Sequence, residues 1–316
     1  MKAISISTLI LCSILLSNCK KSSTADLITI DLVPVVLPEI TKTFDIAYGT
    51  LHAAQKVDVY TPKALAPFPV VVLIHGGGWV QGDKQEYKTS PKTEALLARG
   101  YAVVAVNYRL SGVAKFPAQI QDVKAAVRWI KANAATYKFN SDKIGAWGTS
   151  AGGYLTALLA TSGGVNALED FTQGDATKSS TIQAAVDWFG PTDFLQMDAQ
   201  TIAQGCGVNN ATHNGASSPE SNLMGYAIQT QPSLVQLANP ITYVTSNDPP
   251  MYIAHGMGDC TVPRAQAQIL YDALLPLKGT TDLKINMLSA SGHGTGQFED
   301  VAFVNVMVDF FDKYFK

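Results

Sequence analysis

The pentapeptide Gly-Thr-Ser-Ala-Gly at positions 148–152 separates two segments of opposite character. Residues 143–147 form a short apolar run typical of a strand, whereas residues 153–160 are rich in Ala and Leu and predict a helix. A strand that turns sharply into a helix at Ser150 strains the backbone of this serine and leaves no room for side chains on its neighbours, which accounts for the flanking glycines. We therefore expect the Ser150 hydroxyl to project alone above a sheet edge. A Gly/Ser-rich loop is the alternative interpretation.

Length and composition favour one large globular domain. The 316 residues exceed the usual domain size, but α/β folds often reach this length as one unit. Charged residues make up only 15% of the chain and apolar residues 47%, which argues against disorder. The formal net charge of -2 and the absence of a basic run with interleaved aromatic residues give no reason to expect a nucleic-acid partner.

The first 19 residues form a predicted signal peptide. A positive start at Lys2 precedes an apolar core over residues 4–16, which is too short to span a bilayer. Cys19 and the Lys-Lys-Ser-Ser that follows resemble a bacterial lipoprotein signal, in which the cysteine becomes the lipidated first residue, although Asn18 departs from the commonest pattern. Ordinary secretion and a retained anchor are the alternatives. All three predict export, to the periplasm or outer membrane as a lipoprotein or as a secreted protein, with membrane association only through the lipid anchor.

Two cysteines remain after the signal peptide, Cys206 and Cys260. An oxidising compartment favours a disulfide between them, with two unpaired buried thiols as the alternative. Cys-x-x-Cys and Cys/His spacings typical of metal sites are missing from the sequence, so we expect neither a metal nor a cofactor.

The hydrophobic pattern predicts an α/β fold with a mostly parallel sheet. After a tether and entry arm over residues 20–42, alternating residues at 43–48 and 55–60 predict an antiparallel hairpin at the sheet edge, the start of a single domain over 43–316. Continuous apolar runs then predict strands buried on both faces. These runs lie at 70–74, 102–106, 184–189, 251–254 and 283–288.

Helical patterns alternate with these strands. Residues 93–99 end at Gly100, residues 119–134 carry one apolar stripe, and a final helix covers residues 301–315. Strands that alternate with helices imply right-handed crossovers and a doubly wound sheet with helices on both faces. Residues 191–250 are the least regular, and we interpret them as an insertion over the strand ends that shapes the substrate site; Ser218 and Pro219 begin a short helix within it.

The sequence His-Gly-Gly-Gly-Trp at 75–79 follows the first buried strand. Consecutive glycines let backbone N–H groups converge on one point, as a developing oxyanion requires. The amides of Gly77, Gly78 and Ala151 are therefore the predicted oxyanion hole, and His75 braces the loop. A flexible loop and a phosphate loop are the alternatives, but Trp79 stands where a phosphate loop has Lys and Ser/Thr.

Asp259 and His293 each follow a predicted strand, downstream of the serine. The order Ser150, Asp259, His293 is the chain order of the triad in α/β-hydrolases, in which the carboxylate orients the histidine. Asp187 and Asp193 are the rival carboxylates, interpreted as turn or site-edge residues.

Three residues are assigned to the possible edge of the substrate site: Trp79, Trp188 and Asp193. Two other histidines, His52 and His213, lie in irregular polar segments and are expected to face solvent.

From residue 43 onward, these motifs resemble the α/β-hydrolase superfamily. Within it, 75–79, Asn-Tyr-Arg-Leu at 107–110, 148–153, 188–193 and the block at 248–256 resemble the hormone-sensitive-lipase-like esterases, and among these the bacterial carbohydrate esterases that remove acetyl or feruloyl groups from xylan. The resemblance implies a small-molecule or polysaccharide ester as substrate and a structural pair between Arg109 and a carboxylate such as Asp122. Residues 161–180 and the insertion do not match the family pattern.

Two other functions remain open at this point. A peptidase or acylaminoacyl hydrolase shares the fold and the triad but usually adds a second domain, for which the sequence shows no repeat. A binding module on an inactive hydrolase scaffold usually loses the nucleophile or the histidine, and both are present here.

Overall fold

A computed structural model describes residues 39–316. The predicted signal peptide, Cys19 and the entry arm up to residue 38 lie outside the described residues. Within the described part, no helix combines the length and the apolar composition that a membrane crossing requires. Eight strands form one sheet: β1 (Thr41–Ala47), β2 (Lys56–Thr61), β3 (Phe68–Ile74), β4 (Ala102–Val106), β5 (Phe139–Thr149), β6 (Ala184–Trp188), β7 (Met251–Gly256) and β8 (Leu283–Leu288).

The strand order is β1-β2-β4-β3-β5-β6-β7-β8. β1 pairs with β2 and β2 with β4 in antiparallel fashion, and every later pairing is parallel. The predicted fold class and the antiparallel edge are therefore confirmed. β1 begins at Thr41, two residues earlier than predicted, so the end of the predicted entry arm is already part of the sheet.

Helices follow the strands on both faces. The α-helices are α1 (Pro91–Ala98), α2 (Ala118–Ala132), α3 (Ala134–Tyr137), α4 (Ala151–Thr161), α5 (Met197–Ala203), α6 (Pro219–Met224), α7 (Pro232–Gln236), α8 (Ala265–Asp282) and α9 (Val301–Phe315). Short 3-10 helices cover Lys84–Tyr87, Asn166–Leu168, Phe194–Gln196, Val208–Asn210, Ile228–Thr230, Pro240–Tyr243 and Gly296–Glu299.

The burial of alternate residues of β3 shows why the apolar runs contain no alternating polar residues. Val70, Val72 and Ile74 pack into one core with α2, α4 and α8, whereas Val71 and Leu73 pack into a second core with α1 and α9. Both sets are fully buried because successive side chains of a strand point to opposite faces. The sheet is therefore a middle layer, and its carboxyl edge is free to carry polar side chains.

The predicted pair of Arg109 and Asp122 is present. The Arg109 guanidinium donates through Nη2 to Asp122 Oδ1 (2.7 Å) and through Nε to Oδ2 (2.8 Å), and the carboxylate is almost fully buried. These hydrogen bonds join the loop after β4 to α2. β4 lies next to β3, the strand that precedes the glycine-rich loop.

Candidate active site

Ser150 occupies the turn between β5 and α4. Its backbone has φ 55 and ψ -121, and its N–H donates to Trp188 O across the sheet (2.9 Å). A Cβ on Gly148 would lie 2.0 Å from Gly152 O, and a Cβ on Gly152 would lie 2.1 Å from Ile74 O. Side chains are therefore excluded at positions 148 and 152, two residues before and two residues after the serine, as the pentapeptide indicates.

The loops after β7 and β8 bring two side chains to Ser150. His293 Nδ1 lies 2.7 Å from Asp259 Oδ2, and His293 Nε2 lies 2.9 Å from Ser150 Oγ. An ionised carboxylate only accepts, so His293 Nδ1 carries the proton and Nε2 is free to accept from the serine hydroxyl. The three predicted residues thus form one hydrogen-bonded chain at the carboxyl edge of the sheet.

The environment of Asp259 keeps its carboxylate ionised. Oδ1 accepts from the amides of Thr261 and Val262 at 2.9 Å each, while Oδ2 accepts from His293. Burial favours the neutral acid, but hydrogen bonds from His255 and His293 outweigh it and hold the pKa of Asp259 well below its usual range.

Sequence reasoning missed His255, which is fully buried on β7. Its Nε2 lies 2.9 Å from Val262 O and 3.3 Å from Asp259 Oδ2. Because a carbonyl oxygen only accepts, Nε2 must carry the proton and can also donate to the carboxylate. The sequence signal that could have indicated His255 was its position near the end of β7, four residues before Asp259.

The amides of Gly77, Gly78 and Ala151 line the same cavity as Ser150. The hydrogen bonds of residues 39–316 include none donated by Gly77 or Gly78 N–H, and Ala151 is the first residue of α4, where N–H groups have no partner within the helix. Gly77 has φ 103, and a Cβ there would lie 2.2 Å from Gln81 O, so this position requires glycine.

His75 holds the glycine-rich loop as predicted. Its Nδ1 donates to Gly76 O (2.8 Å), and its ring stacks on Tyr108 with centroids 4.4 Å apart. Burial lowers the pKa of His75, which keeps the ring neutral, and the Gly76 carbonyl only partly offsets this effect.

The cavity in front of Ser150 has a volume of about 660 Å³. Its wall comes from the glycine-rich loop, the Ser150 turn, the loops after β6, β7 and β8, and the insertion (residues 191–250). The lining residues are Gly76, Gly77, Gly78, Trp79, Val80, Gln81, Gly82, Glu86, Thr149, Ser150, Ala151, Phe189, Pro191, His213, Pro219, Glu220, Thr261, Val262 and His293.

Only one of the three predicted edge residues belongs to this wall. Trp79 lines the cavity and packs its ring on Tyr154 at a centroid distance of 5.0 Å. Trp188 lies instead in the core, with its centroid 4.9 Å from that of Phe298, because its side chain points to the face covered by α9. Asp193 caps the 3-10 helix at Phe194–Gln196, where it accepts from Leu195 N.

The other rival carboxylate, Asp187, is fully buried on β6. Its Oδ1 accepts from Gly190 N (3.0 Å) in the turn beside Ser150. Burial raises the pKa of Asp187 to about 6, and the Gly190 amide and the charge of His255 offset only part of this shift. Asp187 thus supports a turn, whereas Asp259 contacts His293.

A disulfide joins Cys206 to Cys260, with the two Cα atoms 5.5 Å apart. Gln204 Nε2 also donates to Asp259 O (2.6 Å). The insertion is therefore fixed to Cys260 by one covalent bond and to the backbone of Asp259 by one hydrogen bond.

The expectation that His213 faces solvent is wrong. His213 is only 8% exposed, and its Nδ1 lies 3.1 Å from Glu220 Oε1 on the cavity wall. The irregular polar sequence around it suggested exposure because the turns of the insertion, which bury the ring, leave no periodic pattern.

Comparison with known proteins finds a matching family model and several similar proteins. The model described as BD-FAE matches residues 57–274. Esterase LipQ of Mycobacterium tuberculosis is 31% identical over 236 residues, which cover 74% of this chain and 52% of LipQ. The chain spans about half the length of the curated relatives it matches.

Two solved structures are similar over most of the chain. A bifunctional GH43-CE protein of Bacteroides eggerthii is 36% identical with a TM-score of 0.75, over 86% of this chain and 38% of that one. A truncated carbohydrate esterase from gut microbiota is 32% identical with a TM-score of 0.75, over 88% of this chain and 97% of that one.

Proposed function

The chain belongs to the BD-FAE family and has the α/β-hydrolase fold, and from this premise we propose that it is a serine esterase. Its substrates are short-chain acyl or feruloyl esters, carried by plant polysaccharide or a related carbohydrate. The observation that carries the proposal is the hydrogen-bonded chain from Asp259 through His293 to Ser150, at 2.7 and 2.9 Å.

The first half of the reaction acylates the serine. His293 Nε2 takes the hydroxyl proton while Ser150 Oγ bonds to the ester carbonyl carbon. The carbonyl oxygen becomes an oxyanion that accepts from the amides of Gly77, Gly78 and Ala151. The carbon–oxygen bond to the alcohol then breaks, the alcohol leaves with the proton from Nε2, and the acyl group remains on Ser150.

Water completes the reaction. It gives a proton to His293 Nε2 as its oxygen bonds to the acyl carbon, and the bond to Ser150 Oγ then breaks as the serine regains its proton. Asp259 stabilises the imidazolium in both halves and keeps the proton on Nδ1. The carboxylic acid leaves as the second product.

The substrate class rests on two observations. Two similar structures, at 36% and 32% identity, carry a carbohydrate-esterase designation in their names. The cavity of about 660 Å³ has the size of pockets that enclose small ligands, which suits a feruloyl group or one acetylated sugar unit.

The test is hydrolysis of p-nitrophenyl acetate, methyl ferulate and acetylated xylan by the parent and by Ser150→Ala. We expect kcat to fall by roughly 10^6-fold, as for removal of a serine nucleophile. Ser246→Ala is the matched control, because Ser246 is exposed and precedes β7, at the opposite edge of the sheet. Unchanged hydrolysis by Ser150→Ala would end the proposal, and cleavage of peptide p-nitroanilides in preference to esters would favour the peptidase.

Export remains a proposal that rests on residues 1–19 alone. Labelled palmitate should enter the parent expressed in a bacterium and be lost in Cys19→Ala. Release of an unlabelled parent into the medium would support ordinary secretion instead.

A further inference from the structure

Two ionisable side chains of the insertion form a buried pair on the cavity wall. His213 precedes α6 and Glu220 lies in its first turn. Only 8% of His213 and 3% of Glu220 is exposed, and His213 Nδ1 lies 3.1 Å from Glu220 Oε1. The chain therefore buries two ionisable groups on the wall of the cavity that contains Ser150, where an apolar wall would suffice for acyl groups alone.

Each member of the pair keeps one polar atom unused. His213 Nε2 and Glu220 Oε2 are buried and have no hydrogen-bond partner among residues 39–316. Buried polar atoms are nearly always paired, because an unpaired one loses its hydration without compensation. An imidazole N–H and a carboxylate oxygen can each pair with a hydroxyl group, which both accepts and donates hydrogen bonds.

The surrounding contacts hold this pair beside the oxyanion amides. His213 N donates to Asp198 Oδ1 (2.7 Å), and Ser218 Oγ accepts from Ser221 N (3.0 Å) to cap α6. Pro219, adjacent to Glu220, packs close to the glycine-rich loop. A Cβ added to Gly78 would lie only 3.3 Å from the Cβ of Pro219. A ligand group held by the pair would therefore belong to the molecule whose ester reacts at Ser150.

We propose that His213 and Glu220 form a subsite for a hydroxyl group of the substrate. His213 Nδ1–H donates to Glu220 Oε1. His213 Nε2–H is then available to donate to a hydroxyl oxygen of the substrate, and Glu220 Oε2 is available to accept from a hydroxyl of the same substrate. The subsite rests on the proposed esterase function and narrows it to esters that bear a free hydroxyl, on a sugar or a phenol.

The charges around His213 agree with this assignment. Burial lowers the pKa of His213, but Glu220, Asp198 and Asp259 raise it more, so that the net change is upward. A protonated imidazole has N–H on both nitrogens, as the subsite requires.

The experiment compares esters that differ only in the hydroxyl. Methyl ferulate against methyl 3,4-dimethoxycinnamate tests a phenol on the acyl side. Methyl 2-O-acetyl-xylopyranoside against its 3,4-di-O-methyl ether tests a sugar on the alcohol side. For the parent, kcat/KM should favour the free hydroxyl in one pair by roughly 10- to 100-fold, the range for a hydrogen bond to a charged group.

Glu220→Gln and His213→Gln should each shrink that preference at least several-fold, with melting temperatures measured alongside. Glu94→Gln is the matched control, because Glu94 is an exposed residue in the first turn of α1, and it should keep the parental preference.

The inference is overturned if the parent prefers neither free hydroxyl, or if folded Glu220→Gln and His213→Gln keep the parental preference. The parental measurement decides the matter even if both variants fail to fold. Failure of the esterase proposal looks different, because the parent would then hydrolyse none of the four esters.

Discussion

The Ser150 turn and the insertion border the same cavity but are held in place by different forces. The turn is fixed by backbone packing, with Ser150 N bonded to Trp188 O and Gly152 pressed against Ile74 O. The insertion is fixed by side chains, through the disulfide and Gln204 to the loop after β7, and internally through the bond from His213 N to Asp198. Backbone packing tolerates few sequences, whereas side-chain ties can be exchanged. The reaction geometry can thus stay constant while the substrate wall changes.

Among variants that keep Ser150, the largest effect should come from removing the charge of Asp259, which contacts both His293 and the insertion. Asp259→Asn is expected to lower kcat by roughly 10^4-fold, because an amide NH₂ facing His293 favours the wrong tautomer. Steady-state kinetics on p-nitrophenyl acetate measures this change. Asp142→Asn, at an exposed residue within β5, is the control, and a loss below tenfold in Asp259→Asn would show that His293 does not depend on this carboxylate.

The disulfide tests whether the insertion depends on its covalent tie. Cys206→Ala should lower the free energy of unfolding by about 2–5 kcal/mol. The loss in kcat should be smaller than that of Asp259→Asn, because Gln204 still binds Asp259 O. Steady-state kinetics measures kcat, and urea titration with and without dithiothreitol measures the free energy of unfolding. The reductant should destabilise the parent and leave Cys206→Ala unchanged, and equal sensitivity of the two proteins would contradict the prediction.

Asp187 provides a test of the Ser150 turn, because the backbone packing of this turn does not require a negative charge on Asp187. Its pKa of about 6 lies above the ordinary value of 3.8, so the folded state binds more protons between these pH values. The associated stability is present below pH 4 and is lost as pH rises through 6. Asp187→Asn avoids this loss and keeps an acceptor for Gly190 N, so the variant should gain about 3 kcal/mol relative to the parent between pH 4 and pH 7.

Denaturant titrations of both proteins across this range measure the difference. A difference that does not change with pH would mean that Asp187 is ionised in the folded protein at pH 4.

The smallest effect is expected at His255. Its donation to Asp259 is long, at 3.3 Å, and Asp259 retains two amides and His293. His255→Gln should therefore lower kcat by about tenfold or less, close to the value of one ordinary hydrogen bond, with KM unchanged. A change in KM with constant kcat would point to altered substrate binding instead.

The sequence predicts the regions where backbone constraints act locally. The runs of β3, β4 and β6 and the pentapeptide at 148–152 have patterns that few other structures allow, and the corresponding elements are present. The chain order of Ser150, Asp259 and His293 was enough to predict that these residues lie together, because each follows a parallel strand and these strands end at one edge of the sheet.

The insertion could not be predicted in the same way. Its helices α5 and α7 are five to seven residues long, too short for a periodic pattern. Pro276 and Gly279 are typical of turns and obscured α8, which has non-helical backbone at Gly279. Trp188 and Asp193 were assigned to the cavity edge, but side-chain direction and a local cap decide their positions.

Pro219 offers a starting point for redesign. It belongs to the exchangeable wall yet packs against the loop that carries Gly78, and it lines the cavity. A smaller residue there would enlarge the cavity without changing Ser150, His293 or Asp259. A library built at this position would explore bulkier esters and would show how far the loop that carries Gly78 depends on this contact.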